Sequence, residues 1–328
     1  DEPRWEVATD DGTTRSFDAV VVANGHQWQP LHDPGLRAEF TGEYFHSHDY
    51  KEPEPFIGKR VCIVGIGNSA VDIATDLCPI AKRAVVVARS GVLILPKTVF
   101  GIPITDIIAR LYRWWIPPSI PGRVAKAITY IVHGDMAKYG FKPLTRRTHA
   151  TSGALICHHI AYNRLAVKSG IEAVDGRTIR FRDGTSEEFD AMIAATGYRI
   201  EFPFIAPEIM QVQQNRVALY KRIVPPRWPG LYFIGLINTN TALPMIFENQ
   251  ARWIMEFALG RAVLPSREEM EADIEARDRW LAQTYPESPR HTIETEFFPY
   301  FEELRVSRKE GQKRTFRLGA GQSVWVMR

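Results

Sequence analysis

The sequence predicts an α/β fold of two domains, one inserted into the other. Three observations predict it. Residues 59–89 read as strand, glycine-rich turn, helix and strand, which is one βαβ unit and implies a parallel sheet. Asp18–Gly25 and Asp190–Gly197, one on each side of that unit, end alike: Asp-Ala-Val-Val-Val-Ala-Asn-Gly against Asp-Ala-Met-Ile-Ala-Ala-Thr-Gly. A strand-to-glycine exit used twice is what a chain shows when it crosses out of one domain and returns. The length, 328 residues, is a soft prior for two domains.

In chain order, Trp5–Thr9 alternates like a strand, and Asp10-Asp11-Gly12 is a hairpin turn signal. Phe17–Ala23 is a near-continuous apolar run with branched residues, the pattern of a buried strand, and it stops at Asn24-Gly25-His26. Residues 59–64 form the next strand. The helix over 68–78 carries Ala70, Ile73, Ala74, Leu77 and Cys78 at the spacing of one apolar face, and Pro79 stops it. Ala84–Ala88 is the second strand of the unit. Residues 95–160, rich in Trp, Tyr, Ile and Pro as in Leu111–Pro118, read as helix broken by prolines. This stretch is either a packed aromatic-rich subdomain or an insertion that meets the substrate entrance or a membrane surface. Residues 171–182 read as a hairpin turning at Asp175-Gly176, Phe189–Ala195 as a buried strand and Leu231–Gly235 as a last short strand. Helices are expected over 245–260 and 266–284, and residues 305–328 form a basic, poorly patterned tail.

Composition narrows the class. With 45% hydrophobic and 24% charged residues the chain can bury a real core. The net charge of +3, from 41 basic and 38 acidic residues, is too balanced for a nucleic-acid partner. Cys62, Cys78 and Cys157 form neither a C-x-x-C pair nor a metal-ligand spacing and read as buried, reduced thiols of a cytoplasmic protein. No metal is expected. No signal peptide opens the chain, and no run approaches the roughly 18–20 apolar residues that span a bilayer. The chain starts Asp1-Glu2-Pro3-Arg4, without Met and already at the edge of a strand, which reads as a fragment.

Gly65-Ile66-Gly67-Asn68-Ser69-Ala70 fits G-x-G-x-x-A, directly after a strand and directly before a helix. In that context Gly65 permits the tight turn, Gly67 lets the backbone approach a pyrophosphate, and Ala70 allows close helix–strand packing. Asn68 and Ser69 add side-chain donors or cap the helix, whose positive end faces the phosphates. The unit's second strand ends Ala88-Arg89-Ser90, with no acidic residue to bind a ribose 2′-hydroxyl. Arg89 and Ser90 instead suit a 2′-phosphate, which points to NADPH; Arg89 also reads as a solvated strand-end cation. Lys97 is a weaker candidate for the same phosphate.

Phe40-Thr41-Gly42-Glu43-Tyr44-Phe45-His46-Ser47-His48-Asp49-Tyr50 matches F-x-G-x-x-x-H-x-x-x-[YFW]. Gly67-Asn68-Ser69, Asp72-Ile73-Ala74, Ala195-Thr196-Gly197-Tyr198, Phe233-Ile234-Gly235-Leu236, Phe247–Trp253 and Pro289–Thr292 extend the likeness over residues 5–300. Taken together these segments resemble the flavin-containing monooxygenases, the class B flavoprotein monooxygenases. The resemblance implies two dinucleotide-binding, Rossmann-like domains, with the NADPH domain inserted into the FAD domain. Residues 1–55 would be part of the FAD domain and a connector, 56–200 the NADPH domain with a helical insertion over 95–160, and 201–328 the rest of the FAD domain. No second G-x-G-x-x-G follows a strand, so the FAD domain is expected to be incomplete at its N-terminus.

The activity implied is that of a dimethylaniline monooxygenase-like enzyme. NADPH reduces FAD, O2 adds as a C4a-(hydro)peroxide, and a soft nucleophile, an amine nitrogen or sulfide sulfur, takes the distal oxygen. The cofactor carries the hard chemistry, and the protein supplies orientation and dryness. The resemblance assigns Gly65, Gly67, Asn68, Ser69 and Ala70 to the NADP pyrophosphate and Arg89 and Ser90 to the 2′-phosphate. Asn24, Gly25, Thr196 and Gly197 lie at strand exits near nicotinamide or flavin. Pro244-Met245 opens a helix aimed at the flavin, and Asn249 and Gln250 line the flavin or substrate side. His46 is read as holding the connector, with acid–base work as the alternative. His48, His158 and His159 are read as structural. The ending Tyr50-Lys51 favours N- and S-oxygenation over the Baeyer–Villiger branch acting on ketones. A non-enzymatic NADPH-binding module is a further reading, whereas a flavin disulfide reductase would need a redox cysteine pair. A homo-oligomer stays open, as does the substrate.

Overall fold

The computed structural model describes residues 4–112, 116–117, 119–153, 155–239 and 243–318. Trp114, Trp115 and Pro118 of the aromatic stretch, the first three residues and the last ten lie outside them. The chain forms two compact units, one of Asp1–Gln29 with Arg199–Arg328 and one of Pro30–Tyr198.

The first unit opens with an antiparallel hairpin of β1 (Trp5–Ala8) and β2 (Thr14–Phe17) around the Asp10–Gly12 turn. β3 is only Val20–Val22. The single buried strand expected over Phe17–Ala23 is therefore corrected. Phe17 ends the hairpin, and Val21 is 46% exposed while Val22 is 7% exposed, so one face alone is covered.

The second unit is built on a five-stranded, all-parallel sheet. Its strands are β4 (Glu43–His46), β5 (Arg60–Val64), β6 (Arg83–Val87), a strand at Leu165–Lys168 and one at Ala191–Ala194. Between β5 and β6 runs α1 (Asn68–Leu77), the predicted amphipathic helix. Successive residues of each central strand face opposite ways, and both faces are covered. Val61, Ile63, Val86 and Ile193 pack with Ala70, Ile73, Ala74 and Leu77 of α1. Cys62, Val85, Val87 and Met192 pack on the other face with Val174, Ile179 and Phe181 of an antiparallel meander. That face explains the inert thiol: Cys62 is fully buried, and burial raises its pKa. Asp190 fastens the start of the 191–194 strand to β5 by accepting from the Arg60 backbone and guanidinium, which hold its carboxyl below the usual range.

After β6 the chain forms short strands β7 (Ile94–Leu95), Thr98–Val99 and Ile102–Pro103, then a short helix and α2 (Ser119–His133). Segment β8 (Thr151–Ser152) returns to pair in parallel with β7. Within the helical insertion expected over 95–160, Phe141, Ile156 and Cys157 join the core, whereas α2 is little covered. Only Pro121 and Thr129 of α2 are buried, and Tyr130, Ile131 and Val132 are exposed. No described helix is long and apolar enough to cross a membrane.

Returning to the first unit, β9 (Leu231–Phe233) pairs in parallel with β3. Helix α3 (Leu243–Ala258) follows, with Pro244 in its first turn. Helix α4 (Arg267–Thr284) starts at a Ser266–Glu269 capping box. Helix α5 (Phe297–Leu318) occupies much of what the sequence reads as an unpatterned tail. Phe297, Tyr300 and Leu304 bury one side of it against Trp253 and Phe257 of α3. Lys221 and Arg222, both at positive φ, are held by Asp273 and Glu303, and the Arg222 guanidinium lies over the Tyr300 ring at 4.2 Å.

Candidate functional site

In the second unit the site starts where β5 runs into α1. Gly65 has φ +130°, and a Cβ there would lie 2.4 Å from the Ala195 carbonyl oxygen. Only glycine fits both the conformation and the space. Gly67 is the extended N-cap residue of α1, with no side-chain cap bond. The first N–H groups of a helix lack intrahelical partners, so this end of α1 offers donors and a positive dipole end. Ala70 is fully buried against the sheet, while Asn68 and Ser69 are exposed. Asn68 Oδ1 accepts from Ser152 N at 2.9 Å, and Thr151 Oγ1 donates to Ile66 O at 3.0 Å. Neither Thr151 nor Ser152 stands out in the sequence. They lie more than 80 positions from the loop, in a stretch with no periodicity.

Arg89 and Ser90 are exposed at the exit of β6, one residue beyond buried Ala88. Lys97 is exposed too. β5 and β6 pair directly, so the loop and this exit sit at the same, C-terminal end of neighbouring parallel strands. Ligands in open α/β sheets bind at that end.

Thr196 and Gly197 follow the 191–194 strand. Gly197, at φ +90°, accepts from Leu31 N at 2.9 Å and from His46 Nε2 at 3.1 Å, and Thr196 Oγ1 donates to Leu31 O. His46 is 1% exposed, and its Nδ1 accepts from His48 N at 3.1 Å. Both ring nitrogens therefore bind backbone groups, which selects the neutral Nε2–H tautomer. Burial, followed by the neighbouring His32, lowers its pKa. The rest of the Phe40–Tyr50 motif is equally structural. Phe40 is buried, a Cβ at Gly42 would lie 2.6 Å from the Phe40 ring, and Tyr50 donates to Asp76 of α1 at 2.6 Å.

In the first unit Asn24 is exposed and Gly25 has φ +71°. The next residue, His26, donates from Nδ1 to Gly235 O at 3.1 Å. Gly235 N in turn donates to Gln250 Oε1 at 3.0 Å, Gln250 Nε2 to Tyr300 OH at 2.8 Å, and Tyr300 OH to Lys221 O at 2.7 Å. This corrects one expectation. Gln250 is fully buried and both ends of its amide are used inside the core, so it holds the exit of β9 instead of lining a ligand. Helical spacing explains it: Ile246, Gln250, Trp253, Ile254 and Phe257 form the buried stripe of α3. Met245, 53% exposed, and Asn249, whose Nδ2 donates to Met245 O at 3.1 Å, lie on the other face. His26, missed in the sequence, is the residue that ties the two strand exits of this unit together.

The profile of the flavin-binding monooxygenase-like proteins matches residues 2–313. The chain belongs to that family. It is 35% identical over 317 residues to flavin-containing monooxygenase 5 of Cavia porcellus, a match covering 92% of this chain and 59% of that one. To dimethylaniline monooxygenase [N-oxide-forming] 2 of Mus musculus it is 32% identical over 322 residues, with the same coverage. The structure of S-allyl-L-cysteine S-oxygenase from Allium sativum superposes with a TM-score of 0.62 and 25% identity, covering 95% of this chain and 60% of that one. The chain thus spans about three fifths of the length of the relatives it matches. The α/β fold with a parallel sheet is that of flavin monooxygenases.

Proposed function

We propose that this chain is the larger part of an NADPH- and O2-dependent flavoprotein monooxygenase that oxygenates soft nucleophiles, an amine nitrogen or a sulfide sulfur. The observation that carries the reading is the Gly65–Ala70 turn, whose glycine is demanded by the Ala195 carbonyl and which leaves β5 at the same end of the sheet where neighbouring β6 exits to Arg89 and Ser90. That cradle fits a pyrophosphate flanked by a 2′-phosphate. The names of the relatives, N-oxide-forming in one and S-oxygenase in another, support the substrate class.

In this reading Gly65, Gly67, Asn68, Ser69 and Ala70 hold the NADP pyrophosphate, and Arg89 with Ser90 holds the 2′-phosphate. FAD, when bound, supplies the oxygen chemistry. In the first unit Asn24 and Gly25 at a strand exit and Met245 and Asn249 on the outer face of α3, and in the second unit Thr196 and Gly197 at another strand exit, are exposed or half-buried and are each read as cofactor-binding positions. Gln250 and His26 position Gly235. His46 positions Gly197 and moves no proton. The NADPH domain, expected over 56–200, is read as the whole second unit, Pro30–Tyr198, because β4 is a strand of its sheet, and the FAD domain as the first unit, Asp1–Gln29 with Arg199–Arg328.

The test is NADPH consumption by the protein at its natural full length, with a tertiary amine or a thioether, and products weighed by mass spectrometry. An N- or S-oxide, formed with NADPH and much less with NADH, is expected. An ester formed from a ketone, without N- or S-oxide, moves the protein to the Baeyer–Villiger branch. NADPH binding without any oxygenated product leaves a nucleotide-binding module.

A further inference from the structure

The glycine loop is held from behind by a segment far away in sequence. β8 pairs in parallel with β7, with Thr151 N donating to Leu93 O at 2.9 Å and Gly153 N to Leu95 O at 3.2 Å. N–H groups alternate sides along a strand, so that of Ser152 faces away from β7, and it donates to Asn68 Oδ1 at 2.9 Å. The Thr151 side chain, with no exposure at all, donates to the carbonyl of Ile66, the residue between the two glycines, at 3.0 Å. Gly153 then passes α1 so closely that a Cβ would lie 2.5 Å from Val71 Cγ1. The same stretch reaches the β6 exit. A Cβ at Gly91 would lie 2.7 Å from Pro143 O and 2.8 Å from Lys142 O. One segment is therefore stitched to both halves of the candidate nucleotide site.

Two orientations follow. A trans peptide points its C=O and N–H in opposite directions. With the Ile66 carbonyl turned to Thr151, the Gly67 N–H is turned away from it. With Asn68 Oδ1 turned to Ser152, the end of the amide left for a ligand is Nδ2, with its two N–H donors. Both results are donors, which an anion requires. We propose that Thr151 and Ser152 are positioning residues of the nucleotide site, setting the Gly67 N–H and the Asn68 amide as donors to the pyrophosphate. The proposal rests on the NADPH reading above. It needs no contact of either residue with the nucleotide.

The test is direct binding of NADPH and of NADH to the full-length protein, followed by nucleotide fluorescence well below the unfolding temperature, with steady-state kinetics beside it. Thr151→Val keeps the shape and removes the hydroxyl donor. Ser152→Pro removes an N–H that the β7 pairing does not use, leaving the pairing N–H groups of Thr151 and Gly153 in place. Both are expected to weaken NADPH and NADH alike, on the order of tenfold, about one hydrogen bond's contribution. KM should rise with kcat little changed, and Thr151→Ser should restore binding. Asn68→Asp, at an exposed position that tolerates change, keeps the bond to Ser152 but presents a carboxylate oxygen to the phosphates; a loss at least as large is expected. Wild-type affinity in Thr151→Val, or in Asn68→Asp should the first two fail to fold, overturns the proposal. Failure of the wild-type protein to bind NADPH overturns the underlying reading instead.

Discussion

Gly65→Ala tests the loop through its backbone. Gly65 has φ +130°, a conformation that costs an L side chain about 1–3 kcal/mol. The new Cβ would also lie 2.4 Å from the Ala195 carbonyl oxygen. That neighbour is backbone and cannot swing aside. Ala195 N donates to Val64 O at 2.9 Å and Gly65 N to Val87 O at 3.0 Å, so any shift strains the pairing of β5 on both sides. Overpacking of this kind costs about 1–3 kcal/mol. The sum, about 2–6 kcal/mol, is a large share of the roughly 5–15 kcal/mol that holds a protein folded. At about 2–4 °C per kcal/mol for domains of roughly 150–250 residues, the thermal midpoint should fall by roughly 4–24 °C. Calorimetry and NADPH binding below the transition measure both consequences. A variant with wild-type midpoint and wild-type affinity would refute the argument that the turn requires glycine.

Other outcomes follow from the same geometry. Arg89→Ala should raise KM for NADPH by about tenfold, the lower end for a charge-assisted hydrogen bond because Arg89 is exposed, and leave NADH unchanged. Equal effects on both nucleotides would remove Arg89 from the 2′-phosphate. Gln250→Leu strips the partner from the buried Gly235 N and should cost about 1–3 kcal/mol in urea unfolding, with an unchanged midpoint counting against the network. His26 and His46 have pKa values lowered from 6.5, by burial first, and His133 and His159 likewise. Groups kept neutral by the fold stabilise it fully above the unfolded value, and that contribution is lost as pH falls below 6.5 toward the folded values. Asp183, Asp190 and Glu187, held down by Thr185, Arg60 and Arg83 first, act only nearer their ordinary 3.8 and 4.5. Urea midpoints should therefore drop between pH 7.5 and 5.5, and equal midpoints would show that these histidines protonate freely in the fold.

What the sequence displayed was whatever local pattern could carry. The βαβ unit was legible because glycine, helix period and Pro79 agree within thirty residues. Helix α4 was legible because Ser266 and Glu269 form its cap. Helix α5 was not, since its buried residues are few among charges and Gly311 reads as a breaker. In the structure that glycine is a close approach: a Cβ there would lie 2.9 Å from the Phe257 ring. Phe17–Ala23 misled by composition, because an apolar run does not reveal how many faces will be covered. Gln250 and Thr151 were illegible for a different reason. Each fixes a backbone group by hydrogen bonding, Gln250 with Tyr300 behind it, and a single polar residue in an apolar stripe or in an aperiodic stretch carries no pattern of its own.

The Phe40–Tyr50 motif shows why a family signature need not mark chemistry. Its four fixed positions each solve a packing problem in the second unit. Phe40 closes the meander face, Gly42 lets β4 pass the Phe40 ring and the Asp190 carbonyl, and Tyr50 ties the following turn to α1. His46, the motif residue read as a candidate for acid–base work, has its two nitrogens bonded to the Gly197 carbonyl and the His48 amide. An acid–base catalyst needs one nitrogen facing the reacting atom, and here both are committed. The motif therefore secures the edge strand β4 and, through Gly197, the exit of the neighbouring strand. Its effect is that the Ala195–Gly197 exit, which also forces Gly65 to be glycine, is held beside the Gly65–Ala70 loop.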